Sequence, residues 1–292
     1  MRRQLFRTML RFSGKETFQS FWHGGELNPE EWACIKSFLM AGHNFVLYSY
    51  EEPRVPEGTT LNPADEILER SYLFDWRGSW QPFSDIFRYA LLEKKGGWWV
   101  DTDVVCVGNR IPCFDIAFAE GQPGEIASGQ IKFPKNHPLL SVLRKKAEQI
   151  GVSQTVWGEI GPKLLTRVVH DHGLKAHLVD TRMFYPMHWS ETYKFWFPKY
   201  RSEILHRTKQ SVSLHLYASQ RFWPKYLQPP AGSYLELLFS KYPFHRELRK
   251  GTEEEYAALT AGLALLRCLS PRQLLALVAT CEANDVGNAN RR

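Results

Sequence analysis

Apolar positions fall into short runs separated by polar, Gly- and Pro-bearing stretches, and the period of those runs switches along the chain. Phe18–His23 is an apolar, aromatic run of strand length. Asn28-Pro29-Glu30-Glu31 follows with the chemistry of a helix start: Asn as cap, Pro at the first helical position, and acids facing the positive end of the dipole. Trp32, Ile35, Phe38 and Leu39 then recur at helical spacing until Gly42 closes the helix. Asn44–Tyr50 predicts a second strand. Strand, helix and strand within about 30 residues is the βαβ pattern of a parallel sheet under helices.

Pro53, Pro56, Gly58 and Pro63 predict a loop over 51–63, with a short helix over Ala64–Arg70. Pro82–Lys95 predicts a longer helix with Ile86, Tyr89, Ala90 and Leu91 on one side and Gly96-Gly97 as its stop. Trp98–Val107 (WWVDTDVVCV) is a strongly apolar run broken by two carboxylates, which either sit within a buried strand or mark a strand end leading into a turn, satisfied there by backbone amides or lysines. Helices are expected over Pro138–Ile150 and Gly161–His170, and a short strand over Ser211–Tyr217. After about residue 233 the pattern is helical, with Ser270-Pro271 as a fresh start. No repeat and no interdomain linker stands out. The expectation is one α/β body with a mostly parallel, Rossmann-type sheet, flanking helices and a helical C-terminal appendage. Its parts are an arm over 1–17, the body over 18–232 and the extension over 233–292.

Composition narrows the class. The 292 residues are 43% hydrophobic and 23% charged, which excludes a disordered, collagen-like or polytopic membrane chain. The net charge of +6 sits mostly at one end: Arg2, Arg3, Arg7, Arg11 and Lys15 precede the first acid, Glu16. The near-neutral remainder lacks the basic stripe of a nucleic-acid binder, and no such partner is expected. Arg3, Arg7 and Arg11 recur every fourth residue, with Leu5, Met9 and Phe12 mostly opposite. The plain reading is a frayed terminus; the other is a basic amphipathic helix making peripheral contact with an anionic membrane surface. Cys34, Cys106, Cys113, Cys268 and Cys281 form no CxxC pair, and no secretory signal or apolar span of about 20 residues is present. A reduced, cytoplasmic setting is expected, at the inner face of the membrane if the arm binds it.

The informative constellation is Asp101-Thr102-Asp103, with Trp98, Trp99 and Val100 before it and Val104, Val105 and Val107 after it. Ionised carboxylates among apolar residues need a compensating charge, and a divalent cation supplies one through hard oxygen ligands. Strand alternation would aim Asp101 and Asp103 to one face, near the carboxyl end of a parallel strand where open α/β sheets bind ligands. On the preceding helix Asp85 and Arg88 stand three apart, hence side by side. An Arg there suits a diphosphate oxygen.

The run SDIFRYALLEKKGGWWVDTDVV resembles the core block of the DxD-motif sugar-transferases of glycosyltransferase family 32. That group includes fungal mannosyltransferases, capsule-type bacterial transferases and the glucosylating domains of clostridial toxins. FWHGGELNPEEWACIKSFLMAGHNFVLYSYE resembles the family's opening strand, helix and strand. The resemblance covers roughly residues 18–110 and continues loosely to about 220. It implies a GT-A-like fold, a nucleotide-sugar donor (UDP- or GDP-sugar), Mn²⁺ or Mg²⁺, and retention of anomeric configuration. The acceptor hydroxyl would belong to a glycan, a lipid-linked glycan or a protein. By the same resemblance, Trp22 stacks on the donor base. Ser84, Asp85 and Arg88 hold the donor sugar and diphosphate, Asp101 lies near ribose and metal, and Asp103 ligates the metal. Gly161-Pro162 resembles an acceptor-side element. Leu214-His215-Leu216-Tyr217 resembles a C-terminal His-Leu-Trp-Asn element whose His215 completes the metal shell, though Tyr217 and Ala218 depart from that pattern. His170-Asp171-His172 is read as a solvated helix end. Two other classes remain in view: a phosphodiesterase or nuclease using Asp85, Asp101 and Asp103, and a non-catalytic nucleotide-sugar binder.

Overall fold

A computed structural model describes residues 11–154 and 156–268. The opening follows the pattern. β1 (Thr17–Trp22) leads through α1 (Pro29–Met40) to β2 (Asn44–Ser49), which lies parallel to β1 with Phe18 opposite Phe45. The Asn28 amide donates to the Glu31 carboxylate at 2.9 Å, tying the first turn of α1 to its own cap. The stretch expected as a loop instead ends in β3 (Thr59–Pro63), parallel to β2 at the sheet edge. An edge strand tolerates its proline because one side of the ladder is unpaired. The short helix expected next shrinks to two tight turns, Ala64–Glu66 and Arg70–Tyr72. α2 (Gln81–Lys95) then runs as predicted into Gly96, whose φ of 70° lies in the glycine-favouring region.

At the carboxylate pair the turn forms and not the continuous strand. WWVDTDVVCV is not one strand. It breaks at Asp101–Asp103 into β4 (Gly97–Val100), parallel to β1, and β5 (Val104–Cys106), in a different sheet. The Asp101 N–H donates to the Gly129 carbonyl at 2.7 Å, and Val104 N–H closes a turn on the Asp101 carbonyl at 3.1 Å. Two buried carboxylates inside a ladder would lack partners; a turn exposes their backbone and frees their side chains to converge.

A small hairpin, β6 (Glu120–Gln122) with β7 (Glu125–Ile126), precedes β8 (Gln130–Phe133), which closes the main sheet antiparallel to β4. The sheet order is β3-β2-β1-β4-β8. α3 (Pro138–Gln154) and α4 (Leu164–Asp171) pack with α2 on one face. The helix expected from Gly161 starts three residues later, after a wide π-type turn over Glu159–Lys163 that contains Pro162. At the far end of α4, His172 sits on the Val168 carbonyl at 2.9 Å, the helix-end role expected of that segment. Two short helices, α5 (Thr181–Phe184) and α6 (Arg201–Arg207), lead to β9 (Ser213–His215), antiparallel to β5 with Val104 opposite His215. α7 (Tyr234–Lys241) and α8 (Glu253–Cys268) follow.

Pleating sends Trp98 and Trp99 to opposite faces of β4, and both are core residues. One apolar cluster lies between the sheet and α2, α3 and α4; a second joins α1 to Phe18, Phe45 and Trp98. A third sits around β5, β9 and α7, where Cys34 of α1, Val105, Leu214, Leu235 and Trp196 meet. The chain after residue 233 therefore begins as part of the body. At the other end, Arg11–Ser13 lies along Ile111–Cys113. Residues 1–10, Ser270-Pro271 and Cys281 lie outside the described residues. No helix among the described residues is long and apolar enough to cross a membrane.

Candidate active site

The turn between β4 and β5 and the end of β9 bring Asp101, Asp103 and His215 together. One ligand atom from each lies within 4.8 Å of the other two, near enough for a single ion to span with small adjustments. Asp103 is held on three sides. His215 Nε2 lies 2.9 Å from Oδ1, Ala218 N–H donates to Oδ2 at 2.7 Å, and Leu216 N–H donates to its carbonyl at 2.9 Å. Burial works against the Asp103 charge, but His215 and the Ala218 amide outweigh it and hold the carboxyl below its ordinary value. Burial likewise opposes an imidazolium at His215, and Asp103 reverses that, raising its pKa above 6.5.

The residues fit a hard divalent cation. Two carboxylates and an imidazole form a mixed oxygen and nitrogen donor set. His215 Nδ1 is buried without a hydrogen-bond partner among the described residues. A Cβ at Gly129 would fall 2.9 Å from Asp101 Oδ2 and 3.0 Å from His215 Cε1, so glycine keeps the space between these ligands clear. The His215 ring is stacked on Tyr217, with centroids 4.2 Å apart and planes 22° apart. Tyr217 adopts a φ of 53° to do so. A tyrosine thus lies flat against His215 at the position where the family pattern has tryptophan.

Behind this cluster Arg88 bridges two acids. Its guanidinium pairs with Asp85 through Nη1 and with Asp101 Oδ1 through Nη2 at 2.8 Å, and it lies over the Trp99 ring at 4.7 Å. The Trp99 indole N–H donates to the same Asp101 oxygen at 2.7 Å. The Arg88 side chain is only 3% exposed, so it faces carboxylates rather than an open cleft. Asp85 is as deeply buried, and burial pushes its carboxyl up to about 6 even with Arg88 beside it. Ser128 Oγ approaches Asp85 at 3.5 Å. Gly161 packs directly on Asp85: a Cβ there would lie 2.5 Å from Oδ2. The neighbouring Tyr89 hydroxyl donates to the Ile160 carbonyl at 3.0 Å. The Gly161-Pro162 turn is thereby seated on the helix that carries Asp85. Asp85 stands apart from the three-ligand cluster, so the three-carboxylate centre expected for a phosphodiesterase does not form.

At the carboxyl end of β1, against the start of α2, lies a cleft of about 590 Å³ that brings Trp22 and Ser84 together. The Trp22 indole N–H donates to the Gly25 carbonyl at 2.7 Å. Glu51 accepts from the Gly24 and Gly25 amides at 3.2 and 3.1 Å, which sets the loop under that ring. Sequence reasoning singled out Trp22, Ser84, Asp85, Arg88, Asp101, Asp103 and His215; the structure gathers Asp101, Asp103 and His215 in one cluster, Asp85 and Arg88 behind it, and Trp22 and Ser84 in the cleft. It missed Gly129, Ala218, Trp99 as a donor, and the Glu30–Arg221 pair. Only the buried acid Glu30 gave a hint, and the helix-start reading absorbed it.

Two family models match parts of the chain. Residues 34–115 match the family described as "Glycosyltransferase sugar-binding region containing DXD motif". Residues 132–242 match "Alpha 1,4-glycosyltransferase conserved region". Both stretches are thus similar to glycosyltransferase families, in line with the resemblance read from the sequence.

Among curated proteins it is similar to the human α-1,4-N-acetylglucosaminyltransferase, 27% identical over 241 residues, covering 74% of this chain and 66% of that one. It is also similar to the lactosylceramide 4-α-galactosyltransferases of human (25% over 151 residues; 44% and 42% covered) and of Rattus norvegicus (27% over 196 residues; 55% and 53%). The matched stretches span between 42% and 66% of these relatives' own lengths. Among solved structures it is similar to the PaToxG glycosyltransferase, with a TM-score of 0.45 at 15% identity over 56% of this chain and 72% of that one. It is also similar to the glycosyltransferase GlyE of Streptococcus pneumoniae, with a TM-score of 0.43 at 11% identity over 79% and 61%.

Proposed function

We propose that this chain is a divalent-cation-dependent, retaining glycosyltransferase that moves a sugar from a UDP- or GDP-sugar to a hydroxyl of a glycan or glycolipid. The observation that carries the reading is the convergence of Asp101, Asp103 and His215, tied through Arg88 and Asp85 to the helix whose Ser84 lines a cleft with Trp22. The relatives are named for α-1,4 transfer of N-acetylglucosamine and for 4-α transfer of galactose to lactosylceramide. An acceptor with a glycan terminus is the corresponding proposal here.

In this reading Trp22 stacks on the nucleotide base and Ser84 bonds the donor. Asp101, Asp103 and His215 hold Mn²⁺ or Mg²⁺, which when bound neutralises charge on the donor diphosphate. Arg88 is a positioning residue: it fixes Asp101 toward the cation and holds Asp85 in register. Asp85, buried between Arg88 and Gly161, keeps α2 and the Gly161-Pro162 turn in register. The acceptor hydroxyl attacks on the face from which the diphosphate leaves, and the departing phosphate takes its proton. Cytoplasmic placement and contact of the basic arm with an anionic membrane belong to the same proposal.

The test is Mn²⁺-dependent hydrolysis of UDP- and GDP-sugars, with and without glycan acceptors, comparing wild type with Asp103→Asn. Loss of turnover in the variant with an unchanged circular dichroism spectrum is expected. Full activity in Asp103→Asn would sink the assignment.

A further inference from the structure

A strap of chain leaves the acidic cluster and enters the donor cleft. It starts where Leu216 and Ala218 bond the backbone and side chain of Asp103. It is pinned midway by Glu30, a residue 2% exposed at the start of α1, which pairs with Arg221 at 2.7 Å and accepts from the Trp223 indole at 2.9 Å. Its far end is tied by the Arg249 N–H, which donates to the Tyr226 carbonyl at 2.9 Å. Between these anchors Lys225 and Tyr226 reach the cleft and line it with Trp22, Trp80 and Ser84.

The cleft needs a cation that Arg88 does not supply. As the glycosyl bond breaks, the departing diphosphate gains negative charge beyond what one divalent ion offsets, and Arg88 is already committed to Asp85 and Asp101. Lys225 is the single lysine or arginine of the cleft lining, is exposed, and makes no ion pair among the described residues. A lysine on a flexible stem serves phosphate as a mobile point charge. We propose that Lys225 is the diphosphate-binding cation of the donor site, carried there by a strap that Glu30 and Asp103 hold in place. This rests on the nucleotide-sugar reading above and adds to it a residue that the DxD constellation does not contain.

The experiment is calorimetric titration of the whole chain with UDP and GDP in the presence of Mn²⁺, and with uridine and guanosine. The proteins compared are wild type, Lys225→Ala and Lys225→Arg. Lys225→Ala is expected to weaken binding of the preferred nucleoside diphosphate about tenfold, the worth of one charge-assisted hydrogen bond. Nucleoside binding should not change, and Lys225→Arg should restore most of the loss. Equal diphosphate affinity in wild type and Lys225→Ala would overturn the assignment and leave the donor reading standing. Parallel losses for nucleoside and nucleoside diphosphate would overturn it too, because a displaced strap, not a missing charge, would then be the cause. If wild type bound neither diphosphate with Mn²⁺ or Mg²⁺, the donor reading itself would fall and this one with it.

Discussion

Replacing Arg88 by methionine isolates the buried bridge behind the acidic cluster. The substitution keeps most of the side-chain volume over Trp99 and removes the countercharge from Asp85 and Asp101. Removing one partner of a buried pair costs about 3–5 kcal/mol, and Asp85 would limit the loss by taking up a proton. The sign follows from linkage. Asp85 has a pKa pushed up from 3.8 to about 6, so its contribution is fully present below 3.8 and lost as pH rises through about 6. That shift corresponds to on the order of 3 kcal/mol in wild type. Without Arg88 the native pKa climbs further, so the variant keeps losing stability above pH 6 where wild type levels off with respect to this group. The excess slope is about 1.4 kcal/mol per pH unit. Urea unfolding at half-unit steps from pH 5 to about 8, differenced between the two proteins, reads it directly. Adding Asp85→Asn to the variant should abolish the excess slope. A variant within about 1 kcal/mol of wild type, with a parallel pH curve, would refute the buried-bridge reasoning.

Two further outcomes follow from the cluster. Gly129→Ala inserts a methyl group between Asp101 Oδ2 and His215. Mn²⁺ affinity by titration should fall about 10–100-fold, as for other disturbed ligand supports, and unchanged affinity would show that the ion sits elsewhere. Because Asp103 raises the pKa of His215, protons compete for the imidazole: Mn²⁺ affinity of wild type should weaken as pH falls through a midpoint above 6.5. In His215→Gln the dependence between about pH 6 and 8 should flatten, and identical profiles would remove His215 from the ligand set.

Much of this protein is legible in one dimension. The βαβ opening was readable because period-2 and period-3.6 patterns, the Asn28 cap and the Gly42 stop are local and mutually consistent. α2 with its glycine stop was readable for the same reason. Asp85, Arg88, Asp101 and Asp103 were picked out together by the motif's resemblance to a known block, which names the residues but not their contacts. What the pattern concealed depended on contacts distant in sequence. The apolar run around Asp101 admits a strand or a turn, and the turn forms because two sheets claim its halves: β8 pairs one side and β9 the other. β3 hides among prolines because an edge strand needs only one hydrogen-bonded neighbour. Arg88 was legible as a cation but not as a buried bridge, because its partner Asp101 arrives through the turn after β4. His215 meets Asp103 across 112 residues, and Arg221 meets Glu30 across 191. Local patterning determines which elements form, since periodicity and capping act over a few residues. Where those elements place their charges is settled by packing, because a buried charge finds its partner in space and not along the chain.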